Sequence, residues 1–345
     1  MSLAHMFYAK QAFRRAMRWA KQWRQQRRHA HPSRPFMLEA LEPRLLMSAD
    51  FNPVAPVGGL VHVSSQSGQF AMADSDISYT LSLDAGQRVS VAFTTQDADL
   101  QGRIQLYDVD GVSVLGEVSA SSPGGAARLD SVLGAGAGDY RLVFHNLAGD
   151  GAFEADIVLN ATLELEATGG SNNNDLASAQ SLAPSELTLP GGGLRYAAVG
   201  TAEAGAPDFY RLDLNTGEHA SFGLAATVAG AGGALRLELQ DAVGNLLVTG
   251  DSDSPTVDRY IKGFTPAASG TFYARITGDD TGYSLLVTRD ADFDLEIPNQ
   301  DQSIAVTHTV LGYIGGLGGG DAGTGPSGST SPSRPNTGKR SSAAR

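Results

Sequence analysis

The 345-residue chain contains no cysteine, which excludes a disulfide framework, a thiolate metal site and a cysteine nucleophile. It also has no run of about 18 apolar residues, the length that a membrane-spanning helix needs. The His-Glu-x-x-His, Gly-x-Ser-x-Gly and phosphate-loop motifs are all absent. We therefore expect a protein that is not an enzyme, with the seven histidines scattered over its surface.

Acidic residues are absent from residues 1–35, which carry nine Lys or Arg. Residues 36–345 hold the other 16 of the 25 basic residues and all 37 acidic ones, a net charge of −21. Lysine is nearly missing from this acidic part, where only Lys262 and Lys339 occur. Such a surface repels nucleic acid and anionic lipid and attracts divalent cations, so no nucleic-acid partner is expected.

The basic arm, residues 1–35, has a helical pattern. Apolar residues recur at spacings of three and four, at Met6, Ala9, Phe13, Ala16, Met17, Ala20 and Trp23. Basic residues interrupt every apolar run, so the arm lacks the continuous core of a secretory signal. We expect an amphipathic helix with a role in export. A solvated disordered arm and a nucleic-acid-binding arm are the alternatives.

From about residue 60 the apolar period changes from helical to two. Ile77, Tyr79, Leu81 and Leu83 alternate with polar residues, and the clearest alternation runs from Phe153 to Leu165. Glycine is frequent, at 42 residues, and Asp110-Gly111 is a hairpin signal. Short alternating strands between Gly and Asp turns predict an all-β protein built of antiparallel sandwiches.

The strand pattern occurs twice. Three blocks repeat at offsets of 132, 133 and 132 residues, from Asp76 to Asp208, Asp108 to Asp241 and Gly138 to Gly270. A constant offset indicates tandem copies of one domain, which we place at residues 60–165 and 172–290. We expect a flexible linker near 169–173, and superposition of Asp76 on Asp208 and of Gly138 on Gly270.

Residues 36–49 resemble a known N-terminal motif, the LEPR-XLL domain. The matching residues are Leu41, Glu42, Pro43, Arg44, Leu45 and Leu46, preceded by Phe36, Leu38 and Glu39 and followed by Ser48 and Ala49. The resemblance implies a sorting or processing role near the start of a large bacterial surface or secreted protein. The alternative is a short helix that ends at its proline.

The repeated blocks resemble the bacterial pre-peptidase C-terminal (PPC) domain. The second copy matches its pattern at Asn174-Asp175, at Asp208, Tyr210, Leu212 and Gly217, at Leu237, Leu239, Asp241 and Gly244, at Gly270 to Tyr273, and at Gly282, Tyr283 and Leu285. The first copy lacks the Asn-Asp start. The resemblance covers roughly residues 60–290 and implies a jelly-roll-like β-sandwich.

Some PPC domains bind calcium through an acidic loop at their start, which implies a candidate calcium site at Asn174, Asp175 and Asp208. The usual Glu-Pro of the family is missing here, where the chain reads Asn172-Asn173-Asn174-Asp175. A run of amides with one acid is a poor match to the six to eight oxygens that calcium takes. The alternative is turn chemistry, since Asp and Asn side chains bond to their own backbone.

The C-terminal region changes in composition. Residues 291–316 resemble the start of a third repeat, whereas 317–345 are rich in Gly, Ser and Pro with Asp321 as the only acid. We predict a disordered tail there and a chain that is the truncated head of a longer protein. A natural disordered tail is the alternative.

Together these patterns predict an exported or cell-surface bacterial protein of non-catalytic spacer or adhesion modules. Its expected partners are export or sorting machinery, through residues 1–49, and an extracellular polymer or protein. No cofactor is expected other than calcium at the candidate site. The alternative is a set of accessory domains from a secreted peptidase whose catalytic domain lies outside this chain.

Overall fold

The structure, a computed structural model, describes residues 47–56, 59–166, 169–189, 192–228, 230–254, 256–293 and 309–311. Within these ranges strands are the main secondary structure, as predicted, and the 3₁₀ turns with described bounds are Ala183–Ser185 and Gly232–Ala234. No described helix has the length and apolar character needed to cross a membrane.

The first sandwich consists of two five-stranded sheets. Sheet A has the order β1-β4-β9-β6-β7 and sheet B the order β2-β3-β10-β5-β8. The strands are β1 (Met47–Ser48), β2 (Asn52–Pro53), β3 (His62–Phe70), β4 (Asp76–Leu83), β5 (Arg88–Thr95), β6 (Gln101–Tyr107), β7 (Val114–Ser119), β8 (Ala127–Leu133), β9 (Gly138–Ala148) and β10 (Gly151–Leu159).

The second sandwich repeats this arrangement. Sheet C has the order β11-β14-β21-β16-β19, with β13 also paired to β14, and sheet D the order β12-β15-β20-β17-β18. The strands are β11 (Thr162–Leu163), β12 (Gln180–Ser181), β13 (Leu187–Thr188), β14 (Leu194–Ala202), β15 (Asp208–Leu214), β16 (Ala220–Ala226), β17 (Arg236–Gln240), β18 (Leu246–Thr249), β19 (Arg259–Phe264), β20 (Gly270–Thr277) and β21 (Thr281–Arg289).

Strand register shows which residues of the two sandwiches correspond. Leu83 lies opposite Gly138 in the first, and Leu214 lies opposite Gly270 in the second, so the two glycines are equivalent. Six residues earlier in each strand, Ile77 pairs with Phe144 and Asp208 pairs with Ile276, so Asp208 corresponds to Ile77. The expected match of Asp208 with Asp76 is wrong by one residue, because the second copy has one residue fewer between its aspartate and the following tyrosine.

Each sandwich has its own apolar core, formed by the inward side chains of both sheets. The first core is rich in phenyl rings, and Phe153 stacks on Phe70 and Phe93 with ring centroids 5.0 and 5.1 Å apart. In the second core the Tyr210 and Tyr283 hydroxyls, both fully buried, lie 2.7 Å apart. Four tyrosines, Tyr79, Tyr140, Tyr210 and Tyr283, are all buried.

The outer faces of sheets B and C pack against each other. Small apolar residues form this contact, which we call the junction cluster: Val54, Val61, Ala92, Val158, Ala161, Leu163, Ala197 and Leu286. Central strands of sheet C are therefore covered on both faces, and every residue of β16 is buried. The sequence signal was the run Leu285-Leu286-Val287, which breaks the period of two because both faces of β21 are apolar.

The chain passes between the sandwiches earlier than predicted. The strand expected from Phe153 to Leu165 is two strands, since β10 ends at Leu159 and Thr162–Leu163 runs parallel to β14 in sheet C. Asn160 turns the chain between them with a φ of 61°. Its side chain accepts from Arg88 N at 3.0 Å and donates to Leu60 O at 2.9 Å. The connecting residues are thus hydrogen-bonded into both sandwiches.

Several sequence-based predictions lie outside the described residues. These are the basic helix of residues 1–35, the sorting motif Leu41–Leu46 and the tail 317–345. Of the segment 291–316, the structure describes β22 (Ala291–Phe293) and β23 (Thr309–Leu311), which pair in parallel. At the other end, β1 pairs in parallel with β4, so Ser48 belongs to the first sandwich.

Candidate divalent-cation site beside the connecting segment

Residues 160–166, which we call the connecting segment, carry two carboxylates from the first sandwich into the second. Glu164 and Glu166 follow β11, and the backbone N–H of Glu164 donates to Val199 O at 2.8 Å, which continues the pairing with β14. Asp208 is the first residue of β15 in the opposite sheet of the same sandwich. One carboxylate oxygen from each of the three residues lies within 4.8 Å of the others, and we call this group the acidic cluster.

Two members of the acidic cluster are buried. Glu164 and Asp208 each expose 2% of their surface. Thr201 N donates to Glu164 Oε2 at 2.7 Å, and Gly200 provides the room for this carboxylate. A Cβ at Gly200 would lie 2.5 Å from Glu164 Oε2 and 2.8 Å from the Tyr283 hydroxyl. Glycine is therefore required here for close packing.

Burial and mutual repulsion control the protonation of this pair. Desolvation, followed by the hydrogen bond and charge of Asp208, raises the pKa of Glu164 well above its ordinary value. Desolvation also raises the pKa of Asp208. Two buried carboxyl groups that share a hydrogen bond hold a proton between them at neutral pH unless a cation replaces it.

Further oxygen atoms lie beside the acidic cluster. Asn173 is fully buried, and its backbone oxygen accepts from Phe209 N at 2.8 Å, so it lies alongside the start of β15. Within the described part of the chain, neither polar side-chain atom of Asn173 has a hydrogen-bond partner, and Asp208 Oδ2 has none either. Unpartnered buried polar atoms are rare, and a bound ion is one of their explanations.

The structure separates the three residues that the sequence proposed as calcium ligands. Asp208 belongs to the acidic cluster, and the amide of Asn174 lies 3.4 Å from Glu166 Oε1. Asp175 is exposed and caps a turn, accepting from the backbone N and the hydroxyl of Ser178, both at 2.8 Å. These hydrogen bonds lower the pKa of Asp175, as turn chemistry predicts.

Sequence reasoning missed Glu164 and Glu166. The alternating pattern of Leu163 and Leu165 assigned this stretch to the last strand of the first copy, where glutamates would face solvent. The sequence did contain a signal for these ligands: two acidic residues, separated by one residue, stand at the end of the first repeat. Their proximity to Asp208 depends on the change of sheet at Asn160, which periodicity does not show.

All candidate ligands are oxygen atoms. Carboxylates and amide oxygens without nitrogen or sulfur donors are the set that calcium and magnesium prefer, whereas zinc favours histidine and cysteine. Calcium accepts irregular arrangements of six to eight oxygens, while magnesium demands a near-ideal octahedron. Three carboxylates and neighbouring amides on three different stretches of chain fit calcium better.

Comparison with known proteins identifies no family: no family model and no curated protein match the chain. Solved structures with partial similarity include the periplasmic lysozyme inhibitor PliG of Aeromonas hydrophila, which is 14% identical over 33% of this chain and 94% of that one, with a TM-score of 0.24. YhaK of Escherichia coli is 13% identical over 71% and 88%, with a TM-score of 0.26. The PBSX exported protein XepA is 14% identical over 69% and 88%, with a TM-score of 0.23. Values this low carry no argument about function.

Proposed function

We propose that this protein is a non-catalytic, exported or cell-surface β-sandwich protein whose two modules form a spacer or adhesion unit with a calcium ion at their connection. One observation carries the proposal. The connecting segment contains β11, a strand of the second sandwich, and it brings Glu164 and Glu166 to Asp208. An ion there would tie the connection between the modules to the second sandwich.

The stacked sheets support a spacer role. The junction cluster buries apolar side chains from both sandwiches, and Arg88 of the first donates through Nε to Glu186 O of the second at 2.8 Å. Buried apolar contact of this kind opposes free hinge motion between domains. A spacer requires a restricted hinge, because two modules that move freely do not hold their ends at a fixed distance.

Export is supported by the resemblance of residues 36–49 to the LEPR-XLL motif and by the charge contrast between arm and body. Residues 1–49 are the proposed contact with export or sorting machinery. The acidic body fits an extracellular polymer or protein as ligand, and it does not fit nucleic acid. β1 begins at Met47, so removal of the sorting motif after Leu46 would leave the first sandwich complete.

Calorimetric titration of the purified full chain with calcium chloride, after treatment with a chelator, tests the cation site. We expect saturable binding of one ion and a rise in melting temperature, because a ligand that binds only the native state stabilises it. Glu164→Gln and Asp208→Asn should abolish both effects. Asp175→Ala is the matched control and should keep them. Absence of binding up to millimolar calcium would refute the site.

Localisation is tested separately by expression of the tagged chain in a bacterial host that exports LEPR-XLL proteins, followed by fractionation. We expect the tagged protein outside the cytoplasm, with an N-terminus after Leu46. Replacement of Glu42, Pro43 and Arg44 together by alanine should retain it inside the cell. An extracellular product that keeps Met1, or export that is unchanged by the replacement, would count against the sorting role.

A further inference from the structure

A second polar cluster lies between the sandwiches, centred on the Thr162 hydroxyl. Its oxygen lies 2.8 and 3.0 Å from the two carboxylate oxygens of Asp130, which accept its proton. Gln180 Nε2 and Arg128 Nη2 each lie 2.9 Å from the same oxygen and donate to it. Thr162 is fully buried and Gln180 is 5% exposed, so solvent water is largely excluded.

The amide of Gln180 is held on both sides. Its oxygen accepts from Leu165 N at 3.0 Å, and its nitrogen also donates to Leu163 O at 2.7 Å. Its carbonyl carbon is bonded to the nitrogen that touches the Thr162 hydroxyl. Rotation of the amide about its Cγ–Cδ bond, which gives up the Nε2 hydrogen bond, turns the face of this carbon toward the hydroxyl oxygen. The cluster contains a hydroxyl nucleophile, a carboxylate base, an amide electrophile and an N–H donor at the carbonyl oxygen.

We propose that Thr162 and Gln180 react to form an intramolecular ester bond. Asp130 takes the hydroxyl proton while Thr162 Oγ1 attacks Gln180 Cδ. The negative charge develops on Gln180 Oε1, where the Leu165 N–H stabilises it. The Cδ–Nε2 bond then breaks, the proton passes from Asp130 to the departing nitrogen, and ammonia leaves. The new Oγ1–Cδ bond replaces the Cδ–Nε2 bond, and no oxidant, reductant or cofactor is consumed.

Arg128 contacts both Asp130 and Thr162, and both contacts favour ester formation. Arg128 forms an ion pair with Asp130 at 3.0 Å, which holds the carboxylate beside the hydroxyl whose proton it accepts. The same guanidinium donates to Thr162 Oγ1, so it stabilises the negative charge that grows there as the proton leaves. Release of ammonia into dilute solution removes the product that would reverse the reaction.

The bond would close a covalent loop around the connecting segment. That loop contains Glu164, Glu166 and Asn173, and it begins at the residue where the chain enters sheet C. A cross-link at this point opposes separation of β11 from the second sandwich. A covalent bond between distant residues reduces the conformational entropy of the unfolded chain, which stabilises the folded state. It would stabilise the connection whether or not a cation is bound.

Mass spectrometry of the purified wild-type chain provides the test. Trypsin leaves residues 142–195 as one peptide, because no Lys or Arg lies between Arg141 and Arg195, and it contains both reacting residues. We expect this peptide about 17 Da lighter than the sequence requires, the mass of ammonia, with fragmentation suppressed between positions 162 and 180. Hydroxylamine, which cleaves esters and spares amides, should open the loop in the denatured chain. A peptide of the encoded mass would overturn the proposal.

Three variants assign the roles. Thr162→Val keeps the shape without the hydroxyl, and Asp130→Asn keeps an acceptor without the base, so both should restore the encoded mass. Thr162→Ser retains a nucleophile and should retain the deficit. A deficit that persists in Thr162→Val would overturn the assignment of the nucleophile. If Thr162→Val does not fold, the peptide mass of Asp130→Asn tests the proposal instead, because Asp130 is partly exposed.

Discussion

Asp208 in the second sandwich occupies the position that Ile77 holds in the first. Asp208 exposes 2% of its surface and lies in the acidic cluster, whereas Asp76, one residue before Ile77, is exposed and contacts His145 at 2.5 Å. The two sandwiches therefore share a fold and differ at the site. A calcium response should come from the second sandwich alone.

The stability of the metal-free chain should decrease as pH rises. Glu164 and Asp208 have raised pKa values, so the native state binds more protons than the unfolded state above the ordinary carboxyl range of about 4. Stability present at acidic pH is then lost as the pair ionises, by up to about 1.4 kcal/mol for each unit of raised pKa. Urea denaturation in chelator from pH 5 to pH 9 measures this. Glu164→Gln should flatten the profile, and an identical slope in both proteins would contradict the assignment.

Calcium binding should release protons. The cation replaces the proton held between Glu164 and Asp208, because metal ligands bind in their deprotonated form. Titration calorimetry at pH 7 in two buffers of different ionisation enthalpy should give different apparent binding enthalpies. The difference corresponds to about one proton per ion. Equal enthalpies in the two buffers would mean that the pair is already ionised.

Gly200→Ala should disturb the acidic cluster. A Cβ at this position meets Glu164 Oε2 at 2.5 Å and the Tyr283 hydroxyl at 2.8 Å, so one of them must move. We expect a loss of about 1–3 kcal/mol in the free energy of unfolding and weaker calcium binding. Gly270→Ala is the control, since a Cβ there meets nothing within 4 Å. Equal effects of the two substitutions would show that Gly200 is not required for packing.

Arg195→Met should leave the protein as stable or more stable. Arg195 is fully buried, and burial lowers the pKa of its guanidinium to about 9. Its Nη1 donates to Asn160 O, but Nε and Nη2 have no hydrogen-bond partner among the described residues. Replacing a poorly paired buried charge by an apolar side chain of similar volume is neutral or stabilising by about 1–4 kcal/mol. A clear loss of stability in thermal or urea unfolding would mean that the charge has a partner.

The sequence could predict the fold class and the tandem repeat because both depend on local, periodic information. Alternation of apolar residues follows from the pleat of a strand, and the repeated blocks preserve it at a nearly constant offset. The burial of Asp208 was also within reach of the sequence. It precedes Tyr210 by two residues and so shares its face, whereas Asp76 precedes Tyr79 by three and faces the other way.

Only the tertiary structure decided the composition of the acidic cluster and of the Thr162 cluster. Glu164, directly after β11 of sheet C, and Asp208, in β15 of sheet D, are 44 positions apart. A period of two is the same whichever sheet a strand joins, so it does not predict that these residues meet. The turn at Asn160, which moves the chain from sheet B to sheet C, depends on hydrogen bonds to Leu60 and Arg88 far away in sequence. Long-range pairing of this kind sets which side chains meet, and no local pattern contains it.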